Sequence, residues 1–481
     1  MVAVSRLASL GSRSFIRWLV IIAIVGVVVR LFNIWYLHHV GDFLIGDAQV
    51  YHGEGLVIAD GHGWVDPLFF QSTGFTRQLA MHPPGYPAYL AFWSFLGVRS
   101  VLGHQLVSVL IGIASVVLIG VAGRRYFTER VGLVAAFLAA IHPSFWSWDG
   151  MVLQESMAIL ATVLLLLAYQ RLLASPSRRS AVLAGLASGF APLVRAELLA
   201  AVVLAALLVL WRFGFRRATG PLLTAALIAI ACIAPWTIYN STRFTKFVPL
   251  SNGFGVTLSS THCAELDGDM LGYWSPWCAV AAADEVTEEY AAANPNAAQF
   301  PVATSVEEYQ RLRSQGNRIL PPDRAALRFV DFDESQRDAA LRDKTVAWIK
   351  QHLKYEARAI LARWGRVLGI YKPLQQMSLD TIPDGRKRPI AVAAWIGYFA
   401  LVPWFIGGAV HALRRRRRDE ALLLLIPLLV VLITVTMTFG NTRYRAIAEP
   451  TFVLFAAAAL VRAARWLADI WNERYAEGAA S

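Results

Sequence analysis

Long apolar runs alternate with short basic connectors along the chain, and two longer polar stretches break the rhythm. The runs cover 15–37, 101–122, 130–146, 151–170, 180–210, 220–239, 389–411, 420–438 and 450–466. A helix needs roughly 20 apolar residues to cross a bilayer. At about 1.5 Å per residue, the run 180–210 is too long for one crossing, so it divides in two. Pro192, Arg195 and Glu197 mark where. The pattern predicts an all-α polytopic membrane protein with about ten transmembrane helices. The first run exceeds a signal-peptide core and no small-residue cleavage site follows, so it is expected to be retained as a helix. Three regions follow: an N-terminal transmembrane core, 1–239, containing a long first loop at 38–99; a polar segment, 240–388; and C-terminal helices with a tail, 389–481.

Charge orients this arrangement. With the N-terminus inside, Arg124, Arg125 and Arg130 fall on one side. Arg171, Arg178 and Arg179 join them, as do Arg212, Arg216 and Arg217, the run Arg414 to Arg418, and Arg462 with Arg465. That is the positive-inside pattern. It places both termini in the cytoplasm and both polar stretches outside. It also accounts for the net charge of +12, so nucleic acid is excluded as a partner. The five-Arg run reads as a topology anchor, with lipid headgroups as the alternative contact. Composition agrees, at 56% hydrophobic and 16% charged, against about 45–50% and about 25% in soluble domains.

The segment 240–388 is expected to form a small mixed extracytoplasmic domain. Residues 243–262 alternate as a strand would. Residues 283–325 look like a surface insertion. Residues 345–371 carry apolar positions at helical spacing among Lys350, Lys354, Arg358 and Arg366, as in a helix lying on a membrane surface. Cys263 and Cys278 both lie in this segment. Outside the cytoplasm a disulfide between them is allowed, and closing a loop of about 15 residues is worth roughly 3 kcal/mol. Neither belongs to a C-x-x-C pair, so zinc spacing is absent. Cys232 sits in an apolar run as a packing residue.

Ionisable residues concentrate at the outer ends of the runs. A transporter would place them near the midplane. The first loop is richest, with Gly46-Asp47-Ala48-Gln49-Val50-Tyr51-His52, then Asp60-Gly61-His62-Gly63-Trp64, then His82-Pro83-Pro84-Gly85-Tyr86-Pro87. If 47–59 is helical, Asp47, Tyr51 and Glu54 share a face. Asp47 reads equally as a general base or as a helix N-cap. His82 is held extended by the following proline, as a site residue or as a tether. Glu155 is either a second acid of the site or an acid stabilised at a helix N-terminus. Arg195, Arg443 and Arg445 suit phosphate oxygens; the other reading is interfacial snorkelling. Their place on the side disfavoured for Arg supports phosphate. Arg77 and Lys372 are weaker candidates.

Taken together, these stretches resemble the first outer loop of the polyprenyl-phosphate-sugar-dependent glycosyltransferases of the GT-C class. That group includes the protein O-mannosyltransferases and the lipid A aminoarabinose transferase. Val152-Leu153-Gln154-Glu155-Ser156 is similar to the family's acidic motif after the third span. Leu193-Val194-Arg195-Ala196-Glu197 resembles its Thr-Arg-Pro-Glu turn, with Ala196 in place of Pro. Ala234-Pro235-Trp236-Thr237-Ile238-Tyr239-Asn240 and Gly440-Asn441-Thr442-Arg443-Tyr444-Arg445 resemble two further elements in order. The likeness leaves out about 283–345.

The resemblance implies an enzyme of the cytoplasmic (inner) membrane with its active site facing outside. It would transfer a sugar, with inversion, from a polyprenyl-phosphate donor to an envelope glycan, lipid or protein. Asp47 would be the base and Glu155 the second acid. Tyr51, His52, His82, Arg195, Arg443, Tyr444 and Arg445 would surround the substrates. The resemblance allows a divalent metal, held by His52 and His82 with Asp47 and Glu155, without requiring one. A transporter or flippase of a lipid-linked sugar is the alternative function, and it would move substrate without breaking a bond. A membrane scaffold, the third class, would tolerate loss of Asp47.

Overall fold

The computed structural model describes residues 12–39, 44–381, 385–414 and 418–478. In chain order the helices begin with α1 (Ser12–His39). The first polar stretch folds as α2 (Asp47–Ala59), α3 (Pro67–Thr73) and α4 (Gly85–Phe95). Then come α5 (Val101–Tyr126), α6 (Glu129–Ile141), α7 (Pro143–Gly150), α8 (Glu155–Ala174), α9 (Arg178–Val194) and α10 (Leu198–Ser241). The second polar segment holds α11 (Phe254–Thr261), α12 (Pro276–Ala293), α13 (Val306–Ser314), α14 (Glu334–Gln351), α15 (Leu353–Val367) and α16 (Pro373–Thr381). The chain closes with α17 (Arg388–Leu413), α18 (Arg418–Met437) and α19 (Glu449–Gly478).

The fold is all-α and polytopic. Among the described residues 7 helices are long and apolar enough to cross a membrane, or up to 8 with the bent pair α6–α7 as one span. Pro143 breaks that pair, bending it by 47°, because proline lacks the N–H a continuous helix needs. The 44-residue α10 breaks at Gly214, which takes a φ of 69°; glycine pays no Cβ penalty there. Its two arms, with the 17-residue α9 beside them, give the expected runs 180–210 and 220–239 their helices. A Cβ on Gly132 of α6 would lie 2.4 Å from the Gly120 carbonyl of α5, so these helices meet backbone to backbone. Large apolar side chains such as Trp18, Val28, Leu207, Phe215 and Leu227 point outward and are exposed, as a bilayer-facing surface requires.

The basic connectors gather at one end of the bundle. Arg212 pairs with Asp419 at 3.1 Å. Arg125 and Arg171 share one cavity, and Arg414, Arg462 and Arg465 share another with Thr128. Residues 415–417 of the five-Arg run lie outside the described residues.

The polar segment departs from expectation in one respect: no strand forms among the described residues. Two isolated bridges, Gln299–Phe329 and Val302–Leu320, are its only β pairing there, and a third, Val65–Gln78, lies in the first polar stretch. Within 243–262, Phe254–Thr261 is helical instead. The Asp338 carboxylate of α14 accepts from the amides of Gly253 at 2.9 Å and Gly255 at 2.7 Å. A distant acid thus caps the helix, which local alternation cannot reveal. The stretch expected as an insertion joins a small core, where Val286 packs with Phe329, Phe332 and Leu341. The amphipathic stretch 345–371 is broken at His352. In α15, Leu353 and Leu361 are 66% and 68% exposed while Arg363 and Arg366 are fully buried. Arg358 stays exposed and pairs with Asp267, so the helix turns two of its three arginines inward and leaves leucines on its outer face.

Candidate active site

At the end of the bundle opposite the basic connectors, Gly46 turns the chain with a φ of 55° and serves as the N-cap of α2. Asp47 is the first helical residue, so it is not the N-cap that one reading proposed. Its Oδ2 accepts from Arg443 Nη1 at 2.8 Å. His82 Nε2 lies 3.8 Å from its Oδ1. The helical face Asp47–Tyr51–Glu54 forms as the spacing predicts. The Tyr51 ring lies 4.4 Å from the His82 ring, and Glu54 Oε2 is 3.9 Å from His82 Nδ1.

Glu155 opens α8 and is fully buried. The turn that delivers it is strained, since Val152 holds a φ of 54°. A β-branched residue there is a true outlier, and such strain collects at functional sites. Asp149 holds the turn from beneath, accepting from Ser156 Oγ at 2.5 Å and Arg30 Nε at 2.5 Å. Glu155 Oε1 accepts from Arg195 Nη1 at 2.8 Å and from Arg443 Nε. Arg195 also donates to Glu197 at 2.5 Å and lies 5.3 Å above the Tyr444 ring. Asp47, Arg443, Glu155, Arg195 and Glu197 thus form one chain of alternating charge.

Other expected residues lie elsewhere. His52 pairs with His104 at 2.9 Å, outside this chain. Arg445 donates to Glu449 at 2.7 Å and stacks 3.6 Å over Tyr398, so it is packed within the bundle. Arg77 binds the carbonyls of Leu327 and Phe332, and Lys372 pairs with Asp269 at 2.9 Å. Cys263 and Cys278 are joined in a disulfide, with Cα atoms 6.0 Å apart. Arg30, Asp149 and Glu197 were missed as partners. An Arg inside the first apolar run is itself a signal, since charge in such a run is expensive.

Burial opposes ionisation of Asp47, but the Arg443 guanidinium and His82 outweigh it and hold the carboxyl below the usual carboxylate range. Burial pushes Glu54 well above its ordinary value, reinforced by Glu334, Asp66 and Asp47. Burial also lowers His82, against the pull of Asp47. Buried polar atoms here lack hydrogen-bond partners: Tyr51 Oη, Glu54 Oε2, His82 Nδ1, Gln154 Oε1 and Glu155 Oε2. Unpaired buried groups are rare and mark places where something else binds or reacts.

In this arrangement Asp47 and Glu155, the carboxylates that would hold a divalent metal, are both paired with Arg443, and His52 faces His104 instead. Among the described residues only Cys263, Glu265 and Cys278 converge like ligands, and both thiols are spent in the disulfide.

Residues 81–239 match the family described as dolichyl-phosphate-mannose-protein mannosyltransferase. No curated protein matches the sequence at a significant level. The fold is that of the oligosaccharyltransferase of Archaeoglobus fulgidus. Its apo form aligns over 98% of this chain and 52% of its own, at 15% identity and TM-score 0.52. Archaeal AglB from the same organism, in complex with an inhibitory peptide and a dolichol-phosphate, aligns over 96% and 52%, at 16% identity and TM-score 0.53. The chain therefore spans about half the length of these structures. ArnT from Cupriavidus metallidurans, bound to undecaprenyl phosphate, aligns at 13% identity and TM-score 0.39, too loosely to bear on the fold. The resemblance read from the motifs thus recurs in the family match over residues 81–239, and the polytopic all-α fold recurs over nearly the whole chain.

Proposed function

We propose that the chain is a membrane glycosyltransferase that moves a sugar from a polyprenyl-phosphate donor to an acceptor hydroxyl at the outer face of the cytoplasmic membrane. One observation carries this: Asp47 and Glu155 meet on Arg443, which lies 396 and 288 positions away from them. The region 1–239 supplies the acids and Arg195, and 389–481 supplies Arg443. The segment 240–388 covers the same end of the bundle. The acceptor is an envelope glycan, lipid or protein.

The geometry suggests an order of events. Arg443 is committed to Asp47 and Glu155, and a phosphate competes for the same guanidinium. Donor phosphate taking the Nη edge of Arg443 releases Asp47 while Nε stays on Glu155. Freed from that cation in a half-buried setting, Asp47 becomes a stronger base. It takes the proton of the acceptor hydroxyl, the acceptor oxygen bonds to the anomeric carbon, and the bond to phosphate breaks with its electrons leaving on polyprenyl phosphate. Attack opposite the leaving group inverts the anomeric centre.

The test incubates purified protein with a panel of polyprenyl-phosphate sugars and an envelope extract, measuring released polyprenyl phosphate. Release coupled to a new glycosidic bond supports the proposal. Movement of intact donor between leaflets, with no bond broken, would overturn it in favour of a flippase.

A further inference from the structure

Resting on the reading of Asp47 as the base, we propose that Glu54 is a positioning residue: its carboxyl hydrogen bonds to His82 Nδ1 and so turns His82 Nε2–H toward Asp47. The geometry is that of a row. His82 stands between two carboxyls, with Nε2 3.8 Å from Asp47 Oδ1 and Nδ1 3.9 Å from Glu54 Oε2. Both atoms facing each other across the second gap, Glu54 Oε2 and His82 Nδ1, are buried and without a partner. Tyr51, fully buried one turn before Glu54, packs its ring on His82 and limits its tilt. Glu54 is 1% exposed. Leaving two such atoms unpaired is costly, and a shift of about 1 Å closes the bond. Catalytic hydrogen bonds commonly tighten in this way when substrate binds.

Proton bookkeeping favours Glu54 as the donor. The groups facing it are Glu334 on α14, Asp66 before α3, Asp47 on its own helix, Arg243 after α10, and His82. Burial, reinforced by the three acids among these five, favours the neutral carboxyl, which has an O–H to give. His82 is itself kept neutral by burial. With Nδ1 accepting, its single proton sits on Nε2, facing Asp47. That contact keeps Asp47 oriented when Arg443 turns to the donor phosphate. One lone pair of Asp47 is then held by His82, and the remainder faces the acceptor.

The test compares wild type with Glu54→Ala, Glu54→Gln and Asp47→Asn, measuring turnover and donor KM across pH. Glu54→Ala is expected to lose at least about tenfold in kcat with donor KM within about twofold. The Gln amide N–H donates to Nδ1 as the carboxyl does, so Glu54→Gln recovers most of that loss. Raising pH ionises Glu54, which then accepts instead of donating and forces the His82 proton onto Nδ1. Wild type therefore loses activity on the alkaline side, and Glu54→Gln lacks that loss. Equal damage in Gln and Ala, full activity in Ala, or an unchanged alkaline limb in Gln would each overturn the proposal. If Ala does not fold, the Gln profile decides alone. Asp47→Asn separates the two ideas. Lost turnover there beside an intact Glu54→Ala sinks only the role of Glu54, whereas retained turnover in Asp47→Asn sinks the base itself.

Discussion

Two ion networks lie close together, and they differ in exposure and in what their own charged groups leave unpaired. In the first, Arg30 of α1 and Asp149 of α7 are 1% and 0% exposed. Arg30 also donates to the carbonyls of Gly26 and Ala140, and Ser156 takes the other Asp149 oxygen. A Cβ at Gly112 would fall 2.0 Å from Asp149 Oδ2, so the space is shaped to the pair and closed. In the second, Asp47 is 37% exposed, and Glu155, Gln154, Glu54, Tyr51 and His82 keep unpaired atoms beside it. Buried charge alone therefore does not mark a site. A closed network holds helices together, and an open one is built to receive a partner.

Breaking the closed pair has the largest effect on stability. Removing one member of a buried pair typically costs about 3–5 kcal/mol. Arg30→Ala should unfold well below wild type in a detergent melt, while the folded fraction keeps its donor KM. A normal melt with lost donor binding would erase the distinction between the networks.

Arg443→Ala tests the open network. A hydrogen bond to a charged group is worth about 1.5–3 kcal/mol, so donor KM should rise roughly 10–100-fold. Its second effect is on pH. Arg443 holds the Asp47 carboxyl down against burial; without it burial wins and the carboxyl protonates at higher pH. The acid limb of kcat/KM should move toward neutrality. An unmoved limb would mean that Arg443 does not set the charge on Asp47.

Smaller effects sharpen the comparison. Gly112→Ala intrudes on the closed pair, and overpacking of this kind costs about 1–3 kcal/mol, measurable as a lower Tm with turnover per folded molecule unchanged. Arg445→Gln should leave donor KM within about twofold, because Arg445 serves Glu449 and Tyr398. A large rise in donor KM would return it to the phosphate site.

The sequence made some of this legible. The spacing of Asp47, Tyr51 and Glu54 puts them on one face on the condition that 47–59 is helical, and α2 occupies that span. The fate of Arg443 against Arg445 could not. They sit in a 3-10 turn, Thr442–Ala448, where residues two apart point about 120° apart around the axis. One reaches Asp47 while the other turns into the bundle. The periodicity of α15 was visible, but not that Arg363 and Arg366 would face inward, because their partners His262, Gln375 and the carbonyls of Leu271 and Thr436 lie far along the chain or on other elements. The helix at Phe254–Thr261 depends on Asp338, some 83 positions on, and no local pattern carries that.

The central claim is that Asp47 accepts the proton of the acceptor. Asn at this position keeps the size but cannot take a proton, and Gly46, not residue 47, caps the helix. Steady-state transfer by Asp47→Asn, with donor affinity measured in parallel, should show turnover lower by at least about a hundredfold. Donor affinity should be equal to wild type or tighter, since Arg443 no longer has Asp47 to leave. Turnover within a few fold of wild type would contradict the account.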